Sequence, residues 1–399
     1  MAGESNSTKE SKRQGATNPL NNHIQIRAAD GKVTVTARDY EAFVELELKG
    51  PDGAIEIVQE GTVLLPADDL MGFIRNTREG YHISITTDAG SSKAHLEWFS
   101  YVKHVTVLRD KEMEPRKAVE STPVVFKLNQ KMIDAALRCN RQINPDIRPD
   151  NRWPGVLFDF SQKGAFWLAA FNSSMIYVNR TPLEHDHGVR FVVGGRMIPL
   201  IAEFGKSGDV TVVYDEQQAA IHISNGIGRA VITTVENKYK ENHYVSIGVD
   251  GLETGQHVAR PAQDAVKPRY KITLDKSDFE IALRQTAEVL NREDHAVAFT
   301  VEGAAGEGNA WVIGLYARHR FNANEANTKV TADIDPPPPS VIKIGLHYGN
   351  VLQALKDIPG SKIDLYVYNE SIPILIASPD EPEFLATSIT LLLSFEKDG

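Results

Sequence analysis

Glu184-His185-Asp186-His187 is a place in the sequence where metal-ligating side chains crowd together. The surrounding TPLEHDHG reads as a turn, and spacing supplies no third ligand beyond the two nearby histidines, so the stretch lacks the pattern of a zinc or catalytic metal site. Cys139 is the only cysteine, which excludes intrachain disulfides and cysteine-rich zinc sites. Within KMIDAALRCNRQI it falls on helical spacing as a small, partly buried side chain, although Arg138 and Arg141 are cations of the kind that can activate a thiol. Gly303–Gly308, GAAGEG, has glycines but neither the Lys-Ser/Thr nor the following helix of a phosphate loop, and it reads as a hairpin turn. The expectation is a protein with no catalytic residue, no metal and no cofactor.

A second chemistry is electrostatic. Lys131, Arg138 and Arg141 follow one another at spacings of seven and three, opposite Met132, Ile133, Ala136 and Leu137, so they belong to the outer face of one amphipathic helix. Arg75 and Arg78 end an earlier helical pattern, Arg196 and Lys206 flank another, and Lys276 and Arg284 stand eight apart in a fourth. Singly, each is an ordinary solvated side chain. Gathered on helices that share one side of a molecule, they would attract phosphates without reading bases. In the loop 144–155, Arg148, Arg152 and Trp153 could reach phosphates or stack on an unpaired base, and Trp153 could equally fill a pocket or a core.

The elements that carry these residues recur. Phe191–Ser224, FVVGGRMIPLIAEFGKSGDVTVVYDEQQAAIHIS, reads as a strand, a short helix with Met197, Ile198, Ile201 and Phe204 on its apolar stripe, a break, and two alternating strands. Val63–Thr87 and Val341–Ile376 have the same order, so the unit returns at intervals of about 130 to 150 residues. A second kind of unit, strand then amphipathic helix, opens at VVFKLNQKMIDAALRCNRQI and again at YKITLDKSDFEIALRQTAEVL. Three modules follow: 21–120, 121–264 and 265–399, behind a polar tail at 1–20 that has no hydrophobic periodicity. The first module has one helical pattern where each of the others has two. Asp30-Gly31 is its hairpin signal, KAHLEWFSYV reads as one strand, and RDKEMEPRKAVESTP reads as a linker.

Composition narrows the partners. The chain has 399 residues, 42% of them hydrophobic, and a net charge of −10. That balance argues against adhesion to nucleic acid through the whole surface, and leaves room for positive charge confined to one face. No apolar run is long enough to cross a bilayer, and the N-terminus is polar, so the expected location is cytoplasmic with no membrane partner.

In the joint order of VVFKLNQKMIDAALRCNRQI with WPGVLFDF, LPADDLMGFIRNTREG, VGGRMIPLIAEF and IPILIASPDE, the chain resembles the bacterial DNA polymerase III beta sliding clamp family over about residues 18–395. It resembles a divergent member whose first domain lacks the family's opening strand and helix. It also ends LATSITLLLSFEKDG where family members have a short Met-Pro strand, and has Asn172-Ser173-Ser174-Met175 where they commonly have an Asp-Gly-His-Arg turn. The resemblance implies an α+β fold of three clamp-type domains, helices on one face of antiparallel sheets, two chains closing head to tail as a homodimer ring. It implies a non-catalytic processivity factor in DNA replication. The ring would encircle double-stranded DNA independently of sequence and tether polymerase and clamp loader through short peptide motifs. By position, the peptide groove falls to Trp153, Phe171, Met175 and Ile176, with Tyr239 and Val245 nearby and Pro373, Leu391 and Leu393 from the last hairpin. The other expectation is a clamp-fold protein-interaction module that has lost DNA encirclement.

Overall fold

The computed structural model describes residues 18–48, 55–78, 81–88, 90–108, 111–114, 124–141, 155–161, 164–172, 175–184, 187–235, 268–290, 295–304, 311–319, 321, 323–338, 341–367, 374–381, 384–388 and 390–391. Within these, only the backbone is described for 171–172, 175–176, 302–304, 384–388 and 390–391. Most of the expected tail, the loop carrying Arg148, Arg152 and Trp153, and the stretch carrying Tyr239 and Val245 lie outside the described residues, as do His185, Asp186, Pro373 and Leu393.

In chain order, a 3-10 turn at Pro19–Asn22 leads to β1 (His23–Ala29), β2 (Lys32–Arg38), β3 (Ala42–Glu47), β4 (Gly61–Pro66) and α1 (Ala67–Arg75). Then come β5 (Ser84–Thr87), β6 (Lys93–Trp98), β7 (Tyr101–Thr106), β8 (Val124–Leu128) and α2 (Gln130–Arg141). These are followed by β9 (Gly155–Asp159), β10 (Ala165–Asn172), β11 (Met175–Pro182), β12 (Arg190–Gly194), α3 (Ile198–Gly205), β13 (Val210–Asp215), β14 (Ala220–Asn225) and β15 (Gly228–Val235). The last third holds β16 (Tyr270–Asp275), α4 (Lys276–Ala287), β17 (Ala296–Ala304), β18 (Trp311–Arg318), β19 (Glu325–Asp335) and β20 (Ile342–His347). It ends with α5 (Tyr348–Asp357), β21 (Lys362–Val367), β22 (Ile374–Ala377), β23 (Phe384–Ser388) and β24 (Thr390–Leu391). Every strand pairing within the two units described next is antiparallel, and the pattern strand, helix, strands returns along the chain as the sequence spacing predicts.

The chain divides into two compact units, one of Met1–Asn129 with Glu203–Thr234 and the other of Gln130–Ala202 with Val235–Gly399. In the first, the strands run β8-β13-β14-β15-β3-β2-β1-β4 as one antiparallel sheet, beside a three-stranded sheet β5-β6-β7. Asp30 and Gly31 both have positive φ, 52° and 73°, the geometry of a type I′ turn, and they close β1 on β2 with Ala29 opposite Lys32. Leu70 and Phe73, three apart on α1, sink with Leu65 into a core of Ala94, Leu96 and Val105. Each such large side chain contributes about 1.5–3 kcal/mol by leaving water. Two expectations need correction here. KAHLEWFSYV is not one strand but the hairpin β6–β7, turned at Phe99-Ser100 with Phe99 at φ 53°; no Gly or Asn marks the turn in the sequence. Met113, read as linker, is buried with Leu20 and Leu64, and its backbone N–H donates to the buried Gln25 Oε1 at 2.8 Å.

In the second unit the strands run β12-β9-β10-β11-β23-β22-β21-β16-β19-β18-β17-β20-β24. All five residues of β9 are buried, and Phe158, Phe160, Phe166 and Phe191 stack beside it at centroid distances down to 4.3 Å. Gly155 is required there, because a Cβ would sit 2.1 Å from the Val193 carbonyl oxygen. The division between units passes through α3, whose stripe Ile198, Ile201 and Phe204 is buried, as is Met197 in the 3-10 turn before it.

Two joints repeat. In the first unit β15 pairs with β3, Gly228 opposite Leu46 through Ile232 opposite Ala42. Gly228 also has no room for a side chain, since a Cβ would meet the Glu45 carbonyl oxygen at 2.4 Å. In the second unit β23 pairs with β11, Met175 opposite Ser388 through Asn179 opposite Phe384. In each joint the strand that precedes a strand–helix pair, β3 before β4–α1 and β11 before β12–α3, meets the third strand after the helix of a later such pair along the chain, β15 after α3 and β23 after α5.

Candidate functional site

The helices position the cations that the spacing singled out, and what those cations meet divides them into two groups. Arg75, at the end of α1, and Arg78 just beyond it are exposed, as is Arg196 in the 3-10 turn Gly195–Met197 before α3. Lys131, near the start of α2, is both exposed and in contact with other groups. Arg138, Arg141, Lys206, Arg284 and Lys276 are engaged. Arg138 Nη1 lies 3.1 Å from Glu381 Oε2, and Arg141 Nη2 lies 2.7 Å from Asp357 Oδ1, so α2 is tied to α5 and to the turn after β22. Lys206 pairs with Glu203 at 2.6 Å and Arg284 with Glu280 at 2.6 Å, each within its own helical neighbourhood. Lys276 donates from Nζ to the Ile358 carbonyl oxygen, an orphan acceptor just past the C-terminus of α5. Lys356, which spacing did not single out, is an exposed cation in the last turn of α5. It stands nine residues after the helix cap His347, as Arg75 stands nine after Pro66, and comparing those two helices would have found it.

Beneath α2 lies a buried polar group of three. The Asp357 side chain is 6% exposed, Cys139 is fully buried and Tyr177 is buried. Burial, reinforced by the Asp357 carboxylate, pushes the Cys139 thiol up to about 12 and raises the Tyr177 phenol well above its ordinary value. A thiol held protonated and covered is no nucleophile, which removes the reactive-cysteine alternative. Among the described residues no three His, Cys, Asp or Glu side chains are placed to hold a metal ion, and no helix is long and apolar enough to cross a membrane. Of the Glu184–His187 cluster, Glu184 and His187 are described.

For the peptide groove, the strand backbones of Phe171, Met175, Ile176 and Leu391 are described and their side chains are not. Met175 and Ile176 run along the β11–β23 joint, and Leu391 lies opposite Gly345 at its pairing with β20. The structure therefore brings backbone of the predicted second-module strand beside that of the last hairpin within one sheet. GAAGEG begins in β17, whose Ala304 is opposite Trp311 of β18, so the glycine-rich stretch bridges neighbouring antiparallel strands.

The last turns of the helices are not alike. α2 and α4 have the same length and align residue for residue through their shared Ala-Leu-Arg, Ala136–Arg138 and Ala282–Arg284. In that alignment Ala135, 4% exposed, corresponds to Ile281, 51% exposed. Aligned on their caps, α5 and α1 match Leu355, fully buried, with Ile74, 42% exposed, and Asp357 with Asn76. Met71 is also exposed on α1.

No protein-family model matches the sequence and no curated protein matches it. Solved structures do. The DNA polymerase III beta subunit of Thermotoga maritima is matched at a TM-score of 0.76 and 14% identity, over 96% of this chain and 94% of that one. The pol III beta of Caulobacter crescentus is matched at 0.73 and 16%, over 96% and 94%. A sliding clamp (DNA polymerase III subunit beta) of Bartonella birtlesii, solved with griselimycin bound, is matched at 0.75 and 15%, over 94% and 92%. The chain has the sliding-clamp fold along nearly its whole length.

Proposed function

We propose that the protein is a DNA sliding clamp: a non-catalytic, cofactor-free processivity factor of the cytoplasm that encircles duplex DNA without reading its sequence. On this reading modules 21–120, 121–264 and 265–399 form half of a ring that two copies close head to tail. Arg75, Arg78, Arg148, Arg152 and Arg196 then attract the backbone phosphates, with Lys131, Arg138, Arg141, Lys206, Lys276 and Arg284, which have contacts of their own, as weaker or conditional contributors. Few register-specific contacts leave such a ring free to slide. The groove of Trp153, Phe171, Met175, Ile176, Tyr239, Val245, Pro373, Leu391 and Leu393 takes the apolar anchors of short peptides from polymerase, clamp loader and other replication or repair proteins.

One observation carries the reading: the apolar exposure of Ile281, Ile74 and Met71 where counterparts Ala135 and Leu355 are buried. Following the repeat, the partner of β19 is the counterpart of β15 and β23, which is β7. Among the described residues β7 pairs with β6 alone, and β19 pairs with β18 from Glu325 to Ala332 and with β16 from Ala332 to Asp335, so the stretch from Glu325 to Thr331 has a strand on one side only. A joint between β19 and α4 of one copy and β7 and α1 of the next would cover all three exposed side chains. Light scattering at micromolar concentration should give a dimer, and a circular DNA should retain the protein until it is linearised. Ile281→Asp should give monomers. Monomer alone from the unaltered protein, with no retention on the circle, would overturn the proposal.

A second reading, a clamp-fold interaction module that no longer encircles DNA, is favoured by the pairing of Arg138, Arg141, Lys206 and Arg284 with carboxylates. It predicts peptide binding by a protein that circular DNA does not retain.

A further inference from the structure

Helix α5 begins differently from the helices at the same step of the repeat. α1 starts behind Pro66 and the 3-10 turn before α3 starts behind Gly194, and neither residue offers a side-chain cap. α5 starts behind His347, whose Nδ1 accepts the backbone N–H of Asn350 at 3.2 Å. An imidazole can accept there only while that nitrogen carries no proton. The ring lies nearly parallel to that of His295, 4.7 Å between centroids and 13° between planes. His295 comes just before β17, and its carbonyl oxygen accepts the N–H of Tyr348 at 2.9 Å, fixing the two histidines face to face at the helix start.

We infer that the His295–His347 pair is an acid-released cap: neutral, it closes the N-terminus of α5, and protonated, it lets that end go. Three effects act in the same direction. A proton on Nδ1 turns the acceptor into a donor facing the Asn350 N–H. The new charge sits at the positive end of the helix dipole. It also faces His295, a group of like sign once protonated. The described titratable or polar groups facing His347 are His295 from the start of β17 and Tyr348 and Asn350 from α5; Lys343, four residues earlier in β20, is exposed and cationic. Among the described residues no carboxylate forms an ion pair with His347 to hold the proton in the folded state.

Burial, and then the neighbouring His295, lower the affinity of His347 for a proton below the ordinary imidazole value. The sign follows. A lowered value in the folded chain means the unfolded chain binds the proton first, so the cap contributes fully above about pH 6.5 and its contribution is lost as pH falls below that. By contrast α4 is capped by an oxygen and not by an imidazole nitrogen: Asp275 Oδ1 accepts from Asp278 N at 3.0 Å. The inference rests on α5 alone and holds whether or not the protein encircles DNA.

Hydrogen exchange on the full chain tests it, comparing pH 7.5 with pH 5.5 after correction for intrinsic exchange. Amides in the first turn of α5 should lose protection by about tenfold at the lower pH, the scale of one helix cap, while those of α4 do not. His347→Asn keeps an acceptor that does not titrate and should hold protection at both pH values. His347→Ala should be weak at both. If the unaltered protein shows no pH-dependent loss in α5, or if His347→Asn loses protection as the unaltered protein does, the inference is wrong.

Discussion

Helices α2 and α4 carry Ala-Leu-Arg at the same turn, yet Arg138 reaches Glu381 in another part of the fold while Arg284 folds back on Glu280 of its own helix. The residue four places earlier decides it. In α4 that residue is Glu280, long enough to meet the guanidinium at i,i+4. In α2 it is Asp134, which is shorter and already accepts from Gln130 Nε2 at 2.7 Å. The same contrast runs along both helices: α2 presents Ala135 and Arg141, one buried and one bonded to Asp357, whereas α4 presents Ile281 and Ala287. One helix is fastened by charge to a neighbour it always has. The other shows an aliphatic side chain to whatever comes.

The largest test of that contrast removes the apolar groups. Leu355→Ala, at a fully buried site, should cost about 2–5 kcal/mol in denaturant unfolding. Ile74→Ala at the matching position on α1 should cost less than about 1 kcal/mol and act instead on self-association, read as a higher dimer dissociation constant. Equal stability losses from the two would break the comparison. Next come the fastenings. Arg141→Ala takes the guanidinium away from the Asp357 carboxylate, whose side chain is 6% exposed, and should cost about 2 kcal/mol, below the toll of a fully enclosed pair because the guanidinium is 58% exposed. Arg138→Ala should cost about 0.5–1 kcal/mol, and Arg284→Ala, on a pair within one exposed helix, only about 0.3 kcal/mol. Urea midpoints measured on the three variants side by side would establish the order or reverse it.

These contrasts also mark how far the sequence could be read. Alternation, the Asp30-Gly31 turn and the recurring strand–helix order carried the fold, because binary patterning and turn chemistry are local. The turn at Phe99-Ser100 was not legible, since its positive φ falls on a residue with no preference for it. Nor was the burial of Met113, which depends on a hydrogen bond to Gln25, 88 positions away. Lys131, Arg138, Arg141, Lys276 and Arg284 stand on the helices that spacing gave them, while Arg78 falls beyond the end of α1, and helical spacing describes a residue's own helix and not its partners. Arg141 reads as a cation on an outer face until Asp357 is seen beside it. Whether a charge is available to a phosphate is a long-range property, and the carboxylates that settle it are scattered from Glu203 to Glu381.

Cys139 turns from a negative result into an instrument. As the only thiol of the chain, covered completely and held protonated, it can meet a labelling reagent only when α2 lifts from the sheet beneath it. The rate at which unaltered protein takes up such a reagent is therefore a clock on the opening of one helix, with no engineered probe. Run with and without DNA or a peptide, that clock reports how firmly α2 is held in place.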